Sequence, residues 1–250
     1  MKLNQEKYHF LTYGTIEYLW TKVGNERIWE SKIEKLLGID IDNRLSFKPH
    51  LLSLCKKAGQ KLGALARIVK FLSFVKRKLI FNSFIESQFS HCPLIWMFVG
   101  RKINRKINHL QERALRMIYN DYTSSFQDLL LNDKSVTFHQ KNIRRVAIEM
   151  YKVKNNLTPT FMTDLFYIFD SKTRSREHFL QTENNTVKFG ENSLRVFGPI
   201  VWNRMLPEDI KTCLTLEDFK EKMDSWVPAN CPCKLCKVYV KNLGYIDNVE

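Results

Sequence analysis

The cysteines near the C-terminal end have a spacing that suits metal ligands. Cys231, Cys233 and Cys236 form a Cys-x-Cys-x-x-Cys cluster, and thiolates of this kind close a tetrahedral zinc site together with a fourth ligand. However, no second pair stands at a standard spacing, Cys213 is the only other cysteine nearby, and no histidine follows the cluster. The sequence therefore favours small thiols, without a metal, in a tight C-terminal turn, with zinc as the alternative.

A pair of carboxylates is a second candidate for metal binding. Asp40 and Asp42 are two residues apart, so they share one face of a strand, and paired carboxylates can hold magnesium. The sequence favours the other interpretation, ordinary strand-end chemistry beside a turn. The six histidines show no ligand spacing, and the sequence has no Gly-x-Ser-x-Gly, P-loop or other glycine-rich phosphate cradle. No catalytic residue is predicted.

The strongest signal is a basic segment, residues 51–120. It contains fourteen Lys or Arg and two acids, Glu86 and Glu112, so it carries +12 of the chain's net charge of +14. One field of positive charge in a near-neutral background is typical of proteins that meet a polyanion. We predict that it binds nucleic acid, either RNA, DNA or an RNA–DNA hybrid. The predicted nucleic-acid-binding residues are Lys56, Lys57, Lys61, Arg67, Lys70, Lys76, Arg77, Lys78, Arg101, Lys102, Arg105, Lys106, Arg113 and Arg116.

The basic segment is predicted to be folded, because its apolar residues recur with helical spacing. Helices are predicted at 47–69, 74–89 and 101–119. The inward residues are predicted to be Leu51, Leu54, Ala58, Leu62, Leu65 and Val69 in the first helix, Leu79, Ile80, Phe84 and Ile85 in the second, and Ile103, Ile107, Leu110, Ala114 and Ile118 in the third. The alternative is a solvated flank of core helices, which three basic helices in a row make less favourable.

The remaining sequence predicts an α+β fold, mainly α. Short strands are predicted at 8–13, 18–23, 27–29 and 35–42, and further helices at 136–154, 159–169, 197–204 and 215–226. A basic linker is predicted at 171–176 and a hairpin around Asn184-Asn185-Thr186. The chain thus consists of a small N-terminal strand and hairpin region, a basic helical bundle, and a C-terminal region of helices and a hairpin.

Composition indicates a globular intracellular protein. Hydrophobic residues make up 44% of the chain, which is ordinary for a packed core. The first residues show no apolar signal-peptide core, and no apolar run approaches the roughly 20 residues that span a bilayer. Six cysteines are too few for a disulfide scaffold of this size. We expect a cytoplasmic or nuclear protein that is not secreted and has no membrane partner.

Several motifs then stand in a particular order along the chain. They are Lys35–Asp42, Leu45-x-Phe47-x-x-His50, Cys92–Phe98, Asn108-x-x-Gln111-Glu112-Arg113-Ala114-Leu115-Arg116-x-x-Tyr119-Asn120, Phe197-Gly198-Pro199-x-x-Trp202-Asn203 and Cys231–Lys237. In order and spacing they resemble the C-terminal part of jockey-like non-LTR retrotransposon (LINE-type) reverse transcriptases. These enzymes are RNA-directed DNA polymerases, and the resemblance covers residues 1–246.

The resemblance implies a domain organisation. Residues 1–45 match the end of the palm and its primer-grip-like hairpin, with Leu37 and Gly38 as primer-grip-like residues. Residues 46–120 match the helical thumb, which holds a template–primer duplex. A helical extension at 121–170, a hairpin-and-helix region at 171–229 and a cysteine-containing tail at 230–250 follow.

One departure from the family decides the expected activity. No Asp-Asp dipeptide occurs in the chain, whereas the family's palm aspartates hold the two magnesium ions that nucleotidyl transfer needs. The resemblance therefore implies a nucleic-acid-binding fragment that is inactive alone, with the missing catalytic part as a further partner. The alternative is a retrotransposon remnant that uses its basic helices as a protein-interaction or structural module.

Overall fold

The fold comes from a computed structural model of the 250-residue chain. The structure describes residues 8–14, 19–166, 168–170, 177–179, 193–229, 231, 233, 237–240 and 244–247, with backbone alone at 168–170, 177–178, 237–240 and 244–247. The chain divides into two compact units, Met1–Leu110 and Gln111–Glu250. The described residues are mainly helical with short antiparallel strand pairs, which confirms the predicted α+β class. None of the described helices has the length and apolarity that a bilayer-spanning segment requires.

Two antiparallel hairpins lie near the start of the first unit. They are formed by β1 (Trp20–Val23) with β2 (Glu26–Trp29) and by β3 (Ile33–Leu36) with β4 (Ile39–Asp42). The first hairpin agrees with the strands predicted at 18–23 and 27–29, with β1 beginning at Trp20 and β2 at Glu26. The predicted strand at Tyr8–Tyr13 is wrong: this stretch contributes only a single bridge, from Phe10 to Glu30.

The second hairpin corrects the prediction of one continuous strand from Lys35 to Asp42. The chain reverses at Leu37 and Gly38, where φ is 47° and 88°. Positive φ at both central residues is what a two-residue type I′ hairpin turn requires. Gly38 adopts this conformation readily because it has no Cβ.

Helices make up the rest of the first unit. They are α1 (Lys48–Ile68), a 3-10 turn (Val69–Phe71), α2 (Phe74–Phe84), a second 3-10 turn (Glu86–Ser90), α3 (Pro93–Trp96) and α4 (Arg101–Tyr119). Helix α4 continues past Leu110, so its last residues belong to the second unit. In α1 the predicted inward residues Leu51, Ala58, Leu62 and Leu65 are buried.

The inward face of α2 differs from the prediction. Leu79 and Phe84 are exposed, whereas Ile85 is buried as predicted. Phe81 in α2 and Phe89 in the following 3-10 turn are also buried. Phe81 and the C-cap residue Ile85 are four residues apart, which is the spacing of one helix face. The sequence alone did not select this face because apolar residues occur all round the helix.

The second unit is organised around one long helix. Its elements are α5 (Phe126–Asp133), α6 (Phe138–Lys154), α7 (Thr160–Thr163), β5 (Ile168–Asp170), β6 (Glu177–Phe179), α8 (Leu194–Ile200), a π-helical turn (Val201–Met205), α9 (Glu208–Lys211), α10 (Leu216–Ser225), β7 (Lys237–Val240) and β8 (Gly244–Asp247). Strand β5 pairs with β6 and β7 with β8, both antiparallel. The predicted helix over 159–169 is wrong in its second half, because α7 ends at Thr163 and β5 follows. The predicted linker at 171–176 and the turn at Asn184-Asn185-Thr186 lie outside the described residues.

The core of the second unit places α8 unusually close to α6. A Cβ added to Gly198 would lie 2.4 Å from Sδ of Met150, a side chain that is fully buried. Trp202 is also buried, and its ring lies against Phe219 and Phe179 with centroid distances of 6.1 and 5.8 Å. Gly198 and Trp202, which carry part of the family resemblance, therefore have packing roles.

Candidate nucleic-acid interface and metal centre

A basic pocket lies between the tip of the β3–β4 hairpin and α1, in the first unit. Its volume is about 310 Å³. It is lined by Lys35, Gly38, Asp40, His50, Ser53, Leu54, Lys57, Lys61, Gln88 and His91. Lys57 and Lys61 belong to the predicted nucleic-acid-binding set and Gly38 to the predicted primer-grip-like pair, so the structure brings members of the two predictions to one pocket.

Helix α1 supplies one wall of the pocket and part of the core at the same time. His50, Lys57 and Lys61 are seven and four residues apart, so they lie on one helix face. The buried residues Leu51, Ala58 and Leu62 have the same spacing on the adjacent face. Packing of the apolar face therefore fixes the direction in which the lysines point.

The hairpin tip supplies the opposite wall. The ring nitrogen Nε2 of His91 lies 2.9 Å from the backbone oxygen of Leu37, which ties the tip to the residues before α3. A Cβ on Gly38 would lie 3.4 Å from the same nitrogen. The Leu37 side chain itself is 85% exposed, so the tip presents an apolar side chain beside the pocket.

His50, one of the two histidines that line the pocket, adds little positive charge near neutral pH. Burial lowers the pKa of His50, and the nearby Asp40 carboxylate only partly offsets this effect. His50 Nδ1 lies 3.6 Å from Asp40 Oδ2 and accepts a hydrogen bond from Asp40 N at 3.3 Å. The permanent charges that line the pocket are thus Lys35, Lys57 and Lys61 against one carboxylate, and this balance favours an anion.

The pocket lysines have different degrees of constraint. Lys61 donates to the backbone oxygen of Phe84 at 3.2 Å, and its Nζ lies 5.8 Å from the centre of the Phe84 ring. All three lysines, Lys35, Lys57 and Lys61, are exposed. An ammonium group that the protein already holds loses less side-chain entropy when it binds a phosphate, because part of that entropy is already lost in the unbound protein.

The carboxylate of Asp42 has a structural task. Its Oδ2 accepts hydrogen bonds from the backbone and hydroxyl of Ser46 at 3.1 and 2.8 Å, and its Oδ1 accepts from Phe47 N at 2.7 Å. Burial acts to raise the pKa of Asp42, but these hydrogen bonds outweigh it and the pKa is lowered. Asp42 therefore fixes the turn that leads into α1, which supports the strand-end interpretation over a magnesium pair with Asp40.

The other predicted nucleic-acid-binding residues differ in exposure. Those that are exposed are Lys56, Arg67, Lys70, Lys76, Arg101, Lys102, Arg105, Lys106 and Arg113. Arg77, Lys78 and Arg116 are half-buried. Arg77 Nε donates to the backbone oxygen of Leu72 at 2.9 Å, and Arg116 forms an ion pair with Glu112 at 2.7 Å. These two guanidinium groups already have partners within the protein.

The second unit contains a buried group of thiols and an imidazole. His139, Cys231 and Cys233 are all buried, and their ligand atoms lie within 4.8 Å of one another. Nε2 of His139 lies 3.9 Å from Sγ of Cys231 and 3.2 Å from Sγ of Cys233. This group could hold a metal ion.

The structure describes two of the three cysteines that the sequence offered as zinc ligands. Cys231 and Cys233 meet as the cluster predicted, and Cys236 lies outside the described residues. Sequence reasoning missed His139, which lies 92 residues before Cys231. Only its position in the first turn of a capped helix marks it in the sequence, and that signal is weak.

Comparison of the chain with protein-family models, with curated proteins and with solved structures finds no match. The resemblance of the sequence motifs to non-LTR reverse transcriptases therefore stays a prediction.

Proposed function

We propose that the first unit binds the phosphate backbone of a nucleic-acid duplex, as the template–primer-holding part of a non-LTR retrotransposon reverse transcriptase does. The observation that carries the proposal is the basic pocket at the hairpin tip, where Lys35, Lys57 and Lys61 face one acid, Asp40. Ammonium groups contact phosphate oxygens through charge-assisted hydrogen bonds. Such contacts position a duplex without reading its sequence.

The charge around the pocket favours a polyanion over a single small anion. From residue 51 to residue 110 the chain has twelve Lys or Arg and one acid, Glu86. Most of these cations are exposed on α1, on α2 and at the start of α4. Two or three cations are enough to neutralise a small anion. The repeated phosphates of a polyanion are instead neutralised by cations that are spread over several helices.

Polymerisation by these 250 residues alone is not part of the proposal. The chain has no Asp-Asp dipeptide, and both carboxylate oxygens of Asp42 accept hydrogen bonds from the protein. Magnesium in the family's reaction is held by palm aspartates, which a catalytic partner would have to supply. A nucleic-acid ligand also implies that the protein works in the cytoplasm or the nucleus.

A second candidate function is docking on an acidic protein partner. The observation in its favour is the exposed apolar surface of α2, where Phe74, Val75 and Leu79 are exposed beside Lys76. An apolar patch rimmed by charge marks many protein–protein contacts. Duplex binding by the purified chain, with no protein partner present, distinguishes the two functions.

The test measures the affinity of a fluorescent duplex for wild-type protein and for the double variant Lys57→Gln/Lys61→Gln. We expect the double variant to bind at least about tenfold more weakly, because each lost phosphate contact removes a charge-assisted hydrogen bond of roughly 1 kcal/mol or more. The matched control is Lys134→Gln/Lys220→Gln, which removes the same charge from the second unit. Equal weakening by both double variants would contradict a specific role for the pocket.

A further inference from the structure

We propose that His139, Cys231 and Cys233 bind a zinc ion, and that this ion fastens the chain beyond α10 to the first turn of α6. The site is independent of the basic pocket, which belongs to the other unit. Its three donor atoms come from segments more than ninety residues apart, so an ion there would act as a cross-link within the second unit.

The distances between the donor atoms suit a tetrahedral ion. With zinc–sulfur bonds of about 2.3 Å and zinc–nitrogen bonds of about 2.0–2.1 Å, a tetrahedron separates S and N by about 3.6 Å. The observed separations from His139 Nε2 are 3.2 Å to Cys233 Sγ and 3.9 Å to Cys231 Sγ. These values lie on either side of that separation, and a fourth donor, from the protein or from water, completes the tetrahedron.

The donor types select the ion. Two thiolates and an imidazole are a soft and borderline set that suits zinc, whereas magnesium and calcium require oxygen ligands. Two thiolates also neutralise the two positive charges of the ion, which matters because all three residues are buried. A buried site whose net charge is zero avoids most of the free-energy cost of burying charge.

The backbone that carries His139 is fixed by contacts that do not involve the cysteines. Helix α6 begins with a capping box, in which Thr137 Oγ1 accepts from Gln140 N and Gln140 Oε1 accepts from Thr137 N. The side chain of Gln111 donates to Val136 O at 2.9 Å and accepts from Phe138 N at 3.2 Å. These bonds fix the first turn of α6, which carries His139.

The cysteine segment is delivered to the same place by a separate contact. Arg144 Nε donates to the backbone oxygen of Trp226 at 2.7 Å, just after the end of α10. The chain then runs back along α6, since Cys231 meets His139, which is five residues or about 7.5 Å before Arg144 on the helix. Both halves of the site are thus held before the ion binds.

The arrangement fits a structural ion better than a catalytic thiol. A cysteine–histidine pair that acts as a nucleophile must be reached by its substrate, and the exposed fractions of His139, Cys231 and Cys233 are only 6%, 4% and 9%. Closed thiolate-rich sites are typical of zinc that contributes to folding.

The experiment uses the full chain, produced in zinc-supplemented medium and purified without chelators. Metal analysis should find about one zinc per chain. Replacement by Co²⁺ should give the intense visible absorption of tetrahedral cobalt and a near-ultraviolet thiolate-to-cobalt charge-transfer band. Cys233→Ser should lose most of the zinc and weaken that band, whereas the matched control Cys213→Ser, another cysteine of the second unit, should keep both.

The zinc content and the absorption spectrum of the wild-type protein test the proposal even if a variant fails to fold. Folded wild-type protein that holds less than about a tenth of an equivalent of zinc and shows no charge-transfer band would overturn the proposal. Folded Cys233→Ser that keeps a full equivalent of zinc would overturn it as well. A chelator should lower the melting temperature of the wild type and leave that of folded Cys233→Ser unchanged, whereas an equal response of the two proteins would contradict a metal cross-link.

Discussion

Sγ of Cys233 lies 3.2 Å from Nε2 of His139, and the two residues are 94 positions apart in the chain. Neither residue predicts the other from spacing, because the pairing depends on how the chain after α10 returns along α6. The contact therefore gives the cysteine cluster the histidine that its sequence lacks.

Cys236, a ligand in the zinc alternative that the sequence left open, can be tested directly as the fourth donor. We expect Cys236→Ser to lower the zinc affinity by about tenfold or more, since a water molecule would replace a thiolate while His139, Cys231 and Cys233 remain. The measurement is competition for zinc with a chromophoric chelator. An affinity equal to that of wild type would remove Cys236 from the ligand set.

We expect a larger residue at position 198 to destabilise the protein where α8 packs against α6. Gly198→Ala should lower the free energy of unfolding by about 1–3 kcal/mol, because the new methyl group overlaps the buried Met150 and this overpacking exceeds the gain in helix propensity. The control is Gly63→Ala in α1, where nothing lies within 4 Å of an added Cβ. That variant should be more stable than wild type by about 0.5–1 kcal/mol. Denaturant unfolding measures both, and a neutral Gly198→Ala would show that α8 moves freely.

Gln111 is expected to stabilise the start of α6 through its amide group. Gln111→Leu keeps the volume of the side chain but leaves Val136 O and Phe138 N buried without this partner, at a cost of about 1–3 kcal/mol for each group. Gln60→Leu, at an exposed position of α1, should change stability by less than about 0.5 kcal/mol. Equal unfolding midpoints for the two variants would show that the Gln111 bonds contribute nothing.

Asp42 should make the stability of the first unit depend on pH. Its folded-state pKa is lowered, so the carboxylate stabilises the folded protein above the unfolded-state pKa of about 3.9, and this contribution is lost as the pH falls through the folded-state value. Wild type should therefore be more stable than Asp42→Asn at pH 7, and the difference should shrink in acid. Urea unfolding at several pH values measures it, and a difference that stays constant would exclude the charge as its source.

The sequence predicted the amphipathic helices well. The inward residues of α1 and α4 recur at strict helical spacing, with lysines and arginines between them, so only one face of each could be buried. Leu51, Ala58 and Leu62 in α1, and Ile107 and Ala114 in α4, are indeed buried. The wall of the basic pocket that α1 supplies could be predicted, because Lys57 and Lys61 necessarily point away from that core face.

Two features could not be predicted, for physical reasons that the residues show. Leu37, Ile39 and Ile41 alternate with Gly38 and Asp40 in the sequence, so the pattern conceals a reversal that depends on the positive φ of Leu37 and Gly38. In α2 apolar side chains occupy every side of the helix, and packing in the folded unit, rather than periodicity, decides that Phe81 is buried and Leu79 exposed.

The most direct test of duplex binding through the basic pocket is the dependence of affinity on salt. Each phosphate neutralised contributes about 0.9 to the slope of log Kobs against log salt concentration on duplex DNA. With Lys35, Lys57 and Lys61 engaged, the wild-type slope should be about −3 or steeper, and Lys57→Gln/Lys61→Gln should reduce its magnitude by about 2. Sequence changes in the duplex should leave both slopes unchanged, since phosphate contacts do not specify bases. A wild-type affinity independent of salt, or an identical slope for the double variant, would contradict phosphate binding at this pocket.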